Sequence, residues 1–150
     1  MTDPASAARI DHVAVAVADL EEATALFTRL LGRGPVSTAE SEAQRVRVAM
    51  FEVGQSKIEL LEATDPDSPV ARFVARRGPG LHHICYAAAD LKGTLKRLET
   101  EGFELLGSGD DIGVEGRPVA FVHPKSSGGI LSEFIAEEDT NRERNDVRDE

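Results

Sequence analysis

HHICYAAADL, His82 to Leu91, repeats the order of DHVAVAVADL, Asp11 to Leu20: a histidine, an apolar run, then Asp-Leu. His12, Asp19 and Leu20 recur as His83, Asp90 and Leu91, each 71 residues later. After the first copy the apolar period changes from that of a strand to that of a helix. Leu20, Ala23, Phe27, Leu30 and Leu31 fall at helical spacing, Asp19 is placed to cap with Glu22 three residues on, and Gly32 is placed to end the helix. After the second copy Leu91, Leu95 and Leu98 continue as a helix towards Gly102. A strand and helix written twice indicate a duplicated unit.

The rest of each copy reads as strands. VRVAMFEVG (46–54) and SKIELLEA (56–63) predict a hairpin turning at Gly54 and Gln55. FELLG, RPVAFVHP and GGILSEFIAE predict the later strands of the second copy. Between the copies DSPVARFVARRGPG predicts a short helix, with Ser68 as cap, Pro69 in the first position, Val70, Phe73 and Val74 inward, and a glycine stop. Each half therefore reads strand, helix, three strands, an α+β chain of tandem βαβββ modules. Residues 1–8 form a short arm. A single domain over 9–136 comprises module one (9–64), a connecting helix (67–78) and module two (80–136), and the charged segment 137–150 is expected to be a solvated or disordered tail.

Composition narrows the function classes. The formal net charge of −10 opposes attraction to nucleic acid or to an anionic membrane. The lone cysteine, Cys85, precludes an intramolecular disulfide, and neither a secretory signal nor a membrane-spanning run is present. A soluble cytoplasmic protein is expected.

The duplication raises a chemical question about its histidines. His12 and His83 occupy equivalent first-strand positions, and the last strands of the two halves, KIELLEA and ILSEFIA, carry Glu59 and Glu133. A carboxylate among Ile58, Leu60 and Leu61 is costly to bury unless something compensates it. A divalent metal would compensate both acids at once. Two histidines and two carboxylates suit Co²⁺, Mn²⁺, Ni²⁺ or Zn²⁺, with positions left for water or substrate. Adjacent strand residues face opposite ways, so only one of His82 and His83 reaches the centre; His83 is in register with His12, leaving His82 to orient it or to pack. Cys85 reads as a small buried thiol and His123 as a residue of the surface or of the site's mouth.

The order His12, Glu59, His83, Glu133 on two such modules resembles the vicinal oxygen chelate superfamily, which includes glyoxalase I, extradiol dioxygenases and fosfomycin-modifying enzymes. Within it, DSPVA…GLHHI and HPKSSGG resemble the methylmalonyl-CoA epimerase family over about residues 9–136. The resemblance implies a curved mixed sheet around one divalent metal, Co²⁺ first and Mn²⁺, Ni²⁺ or Zn²⁺ next, bound by His12, Glu59, His83 and Glu133. It implies a homodimer acting on an acyl-CoA, interconverting (2R)- and (2S)-methylmalonyl-CoA by proton abstraction through an enolate. Glu133 is the implied base, and Gln44 and Lys125 are the implied substrate contacts. The coenzyme's phosphates would call for a local basic patch, with Arg72, Arg76, Arg77, Arg117 and Lys125 as candidates.

Three positions depart from that pattern. Val48 stands where some relatives have a glutamate proposed as second base, Arg45 follows Gln44 where a glycine is common, and Glu59 stands where some have glutamine. A glyoxalase-I-like lactoylglutathione lyase, or another metalloenzyme of the superfamily, is the alternative. A non-catalytic drug-sequestering module is a further one, against which four retained ligands count.

Overall fold

The computed structural model describes residues 3–137; the charged tail beyond Glu137 lies outside the described residues. In chain order it runs β1 (Ala7–Ala16), α1 (Leu20–Leu31), β2 (Ser37–Ser41), β3 (Val46–Val53), β4 (Ser56–Ala63), α2 (Pro69–Arg77), β5 (Gly80–Ala88), α3 (Leu91–Thr100), β6 (Leu105–Ile112), β7 (Pro118–Val122) and β8 (Ser132–Ala136), with a 3-10 turn at Pro124–Ser126. The α+β class and the twofold strand–helix–three-strand order are as expected.

The local signals act through identifiable bonds. The Asp19 side chain accepts from the Glu22 amide, and Gly32, at φ 71°, closes α1 in the left-handed region that glycine adopts without steric cost. Ser68 accepts from the Val70 amide behind Pro69, and Asp90 from the Gly93 amide. Gly54, also left-handed, turns β3 into β4. Two strands differ from the reading. β2, which sequence counted but did not locate, is exposed along most of its length and so carries almost no hydrophobic alternation. β6 runs to Ile112 rather than stopping near Gly107, because the β6–β7 ladder resumes at Asp111 after a register shift.

All strands join one mixed sheet in the order β2-β3-β4-β1-β5-β8-β7-β6. The first module supplies β2-β3-β4-β1 and the second β5-β8-β7-β6, so the halves meet at the antiparallel β1–β5 pair. β1 runs parallel to β4 and β5 parallel to β8. The repeat in sequence is therefore a repeat in topology.

Period-two alternation divides the sheet's two faces. On one, Leu20, Ala23, Phe27 and Leu31 of α1 cover Ala49, Phe51 and Leu60, while Leu91, Leu95 and Leu98 of α3 cover Ala88, Ala120, Val122 and Phe134. On the other, Val46, Val48, Met50 and Leu61 pack with Ala14, Ala16 and Val70, α2 lying over them through Val70, Phe73 and Val74. Glu59 alternates with Leu60, so the face that α1 leaves free is the one that receives the acid. At the N-terminus, the Asp90 amide and the Arg97 guanidinium donate to the carbonyls of Pro4 and Ala5, which fastens the arm to α3.

Candidate metal centre and active site

Four adjacent strands, β4-β1-β5-β8, each bring one candidate ligand: Glu59, His12, His83 and Glu133. Register aligns them, since Ala14 lies opposite Glu59 on one side and His83 on the other, while Cys85 lies opposite His12 and Glu133. All four side chains are buried. His12 Nε2 lies 3.3 Å from His83 Nε2 and 3.4 Å from both Glu59 Oε2 and Glu133 Oε2, and His83 Nε2 lies 2.8 Å from Glu133 Oε2. The donor atoms of His12, His83 and Glu133 fall within 4.8 Å of one another. Glu59 stands at the edge of that triangle, in contact through His12.

Two imidazole nitrogens facing each other between two buried carboxylates is a poor arrangement for hydrogen bonding alone, because each ring can supply only one proton or one lone pair at Nε2. It is a good arrangement for a cation. The residues therefore fit a mid-series divalent metal, with His12, His83, Glu133 and Glu59 as the groups that would hold it.

The surroundings prepare both histidines. Asp11, fully buried, accepts from His12 Nδ1 at 2.7 Å, which keeps the hydrogen on Nδ1 and leaves Nε2 to face the cluster. Asp11 is itself held by Arg117 at 3.1 Å and Arg9 at 3.3 Å. Arg117 also bonds Glu115 and the Ala136 carbonyl, and Glu115 takes Lys57 at 2.7 Å. On the other side His82 Nδ1 lies 2.8 Å from His83 Nδ1. Burial and the charge of His83 push His82 down to about 4, so it is neutral and can accept the His83 Nδ1 hydrogen. His82 thus orients its neighbour and also packs edge-on to Phe73, which unites the two roles sequence left open.

Charge in the metal-free cluster is strongly redistributed. Burial opposes a charge on His12, but its bonds to Asp11, Cys85 and Glu133 push it up to about 12. Burial also works against the Glu133 carboxylate, which His12 and His83 nevertheless hold down at about 2. Burial raises Glu59. Burial lifts the Cys85 thiol to about 12, so this side chain, although close to Asp11 and His12, keeps its proton.

The cluster lines a cavity of about 410 Å³ with walls of Val46, Leu61, Val70, Val119, Phe121 and Ile135. Gln44 and Arg45 stand in its lining, in the turn between β2 and β3. Arg45 has φ 55°, a left-handed backbone that a glycine would take more easily than an arginine. Val48 is buried in the apolar cluster on the same face of the sheet as the site and offers no proton acceptor there. The structure reassigns Arg117: its guanidinium is committed to Asp11, Glu115 and Ala136, so it is an internal strut rather than a surface phosphate contact. Lys125 is exposed on the 3-10 turn, outside the cavity's lining, and His123 caps that turn by accepting from the Lys125 amide.

Residues 11–121 match the Glyoxalase/Bleomycin resistance protein/Dioxygenase superfamily. The chain belongs to this superfamily. Among its members, the ethylmalonyl-CoA/methylmalonyl-CoA epimerase of Cereibacter sphaeroides is 39% identical over 128 residues, 84% of this chain and 96% of that protein. The mitochondrial methylmalonyl-CoA epimerase of Homo sapiens is 36% identical over 127 residues, 84% of this chain and 72% of that one. A solved Streptomyces coelicolor methylmalonyl-CoA epimerase variant in complex with 2-nitronate-propionyl-CoA superposes with a TM-score of 0.85 at 31% identity, covering 89% of this chain and 97% of that chain. The duplicated sheet places the candidate ligands on the first and last strands of each half.

Asp11 is the residue that sequence reasoning missed, and Arg117, read there as a phosphate candidate, is instead its buried partner. Alternation places Asp11 opposite to His12 and therefore away from the site. A bulge between Ile10 and His12 in the β1–β5 ladder breaks that alternation, and no sequence signal announces it.

Proposed function

We propose that this protein is a metal-dependent epimerase that interconverts (2R)- and (2S)-methylmalonyl-CoA through an enolate. The observation that carries the reading is the convergence of His12, His83, Glu59 and Glu133 at one cavity of a chain related to methylmalonyl-CoA epimerases over 84% of its length. Co²⁺ is the proposed ion, with Mn²⁺, Ni²⁺ and Zn²⁺ sharing the donor preference. When bound, the metal acts as a Lewis acid that stabilises negative charge developing on the thioester oxygen.

The chain's own groups do the rest. Inversion requires a proton to leave one face of the carbon and return to the other, so proton-handling groups are needed on both sides. Glu133 on β8 and Glu59 on β4 flank the central β1–β5 pair, one from each module. Glu133, ionised and bonded to both histidines, is the proposed base; Glu59 takes the second position that Val48 cannot fill. Gln44 supplies an amide at the mouth for the substrate's polar head. The apolar walls exclude water, which strengthens each electrostatic contact inside. Ethylmalonyl-CoA is a second substrate in the same reading, because the Cereibacter relative is named for both and one methylene changes selectivity by only about 1–3 kcal/mol.

The test is solvent exchange. Metal-loaded protein incubated with methylmalonyl-CoA in deuterated water should place deuterium at the methine carbon well above the rate in buffer, and His83→Ala should abolish the excess. No excess with metal bound would overturn the proposal.

A further inference from the structure

Among the described residues, potential metal ligands gather in one place besides the four-residue centre: a carboxylate oxygen of Asp11, a ring nitrogen of His12 and Cys85 Sγ lie within 4.8 Å of one another. All three side chains are buried, those of Asp11 and Cys85 completely. They come from the two central strands of the sheet. Cys85 on β5 lies opposite His12 on β1, and the bulge between Ile10 and His12 brings Asp11 to the same spot against the alternation of its strand.

Two of the three are accounted for by the centre already described, since His12 faces it through Nε2 and Asp11 orients the ring. Cys85 is not. It packs with Ala87, Val119 and Ile135, and packing alone asks for no more than a small apolar residue there, as the fully buried Ala14, Ala87 and Ala88 on the same two strands show. A thiol adds a soft donor beside a carboxylate and an imidazole. A divalent ion held by one thiolate, one carboxylate and a neutral imidazole leaves no net charge to bury, as in the four-ligand centre. Metal–ligand bonds of about 2.0–2.3 Å set tetrahedral ligands about 3.3–3.8 Å apart, so donors at this spacing close on an ion with shifts of about an ångström. Glu133, opposite Cys85 on β8 and 3.4 Å from His12 Nε2, stands beside the triad for a fourth position.

We propose that Asp11, His12 and Cys85 form a second metal site, selective for a thiophilic divalent cation such as Cd²⁺, and that filling it draws His12 away from the four-ligand centre and silences that centre. Sulfur is the basis of the selection, because thiolate favours soft ions whereas imidazole and carboxylate alone suit the mid-series ones. The incoming ion replaces the Cys85 proton, which leaves to solvent, and coordination then holds the thiolate. The effect on turnover rests on the metal-dependent reading above; the site itself rests only on the triad.

The experiment uses Cd²⁺ and the full chain. Cys85 is the chain's single cysteine, so a thiolate-to-cadmium charge-transfer band in the ultraviolet has one source. Titration of metal-free wild-type protein should raise that band to a plateau at one ion per chain. Cys85→Ala, and Cys85→Ser, which keeps the side chain's size, should bind Cd²⁺ without the band. Added to Co²⁺-loaded wild-type protein, Cd²⁺ should extinguish the visible absorption of bound Co²⁺ as the band grows, and the Co²⁺-supported deuterium exchange should fall with it. The two variants should show wild-type exchange before Cd²⁺ is added and need at least about tenfold more Cd²⁺ for the same loss. Failure of the wild type to bind Cd²⁺, binding without the band, or equal Cd²⁺ sensitivity in wild type and Cys85→Ala would overturn the proposal. A band that grows while the Co²⁺ absorption holds would overturn the sharing of His12. A band that grows as the Co²⁺ absorption falls, with no deuterium exchange under any metal, would establish the site and overturn the epimerase reading instead.

Discussion

Replacing Asp11 by asparagine tests whether His12 is a prepared ligand. Asp11 is completely buried and uses one oxygen for His12 Nδ1 at 2.7 Å and the other for Arg117 at 3.1 Å and Arg9 at 3.3 Å. Asparagine has the same shape but must present an NH₂ to one side. Turned towards Arg117 it sets donor against donor; turned towards His12 it donates to Nδ1, so the ring's hydrogen moves to Nε2, where a metal would need the lone pair. Loss of such an outer carboxylate typically costs 10- to 100-fold in metal affinity, about 1.4–2.8 kcal/mol. The assay is Co²⁺ titration against a competing chelator at pH 7, followed by the visible absorption of the bound ion. A folded Asp11→Asn protein with wild-type Co²⁺ affinity would refute the account of how His12 is oriented. Asp11→Ala is a harsher change, because it removes a partner of the largely buried Arg117, and about 3–5 kcal/mol should be lost in urea unfolding.

Glu133→Gln should reduce turnover by about 10²- to 10⁴-fold, beyond whatever metal loss elemental analysis records, since the amide cannot accept the proton. Metal binding should release protons, because the metal-free cluster holds His12 protonated up to about 12; affinity should therefore rise with pH, and the heat of Co²⁺ binding should depend on the buffer's ionisation enthalpy. The metal-free fold has its own pH window. Glu133 falls from 4.5 to about 2, so its stabilisation is present above 4.5 and is lost as pH drops towards 2. His12 rises from 6.5 to about 12, so its contribution is complete below 6.5 and is lost as pH climbs towards 12; urea midpoints across pH 2–10 would expose a profile of the opposite sense. Leu60→Ala, at a fully buried position beneath α1, should cost about 2–5 kcal/mol without changing metal stoichiometry, because the site lies on the sheet's other face.

Much of this molecule was legible in one dimension because its signals are local. The caps at Asp19, Ser68 and Asp90 and the hairpin at Gly54 act within a few residues, and period-two alternation around Glu59 and Glu133 follows from the pleat itself. Duplication added long-range information: a histidine recurring 71 residues later made His83, rather than His82, the partner of His12, and the two Nε2 atoms do face each other. β2 escaped because an exposed strand has no apolar pattern to read. What the sequence by itself determined is the βαβββ order, the two faces of the strands that carry Glu59 and Glu133, and the four candidate ligands. Tertiary structure alone decided the rest. A bulge in the β1–β5 ladder brings Asp11 under His12 against the alternation rule, Arg117 arrives from 106 residues away to hold it, and the loops and α2 set which arginines line a cavity and which are spent inside. Those facts depend on how distant segments meet, and pairing across that distance leaves no periodic trace in the chain.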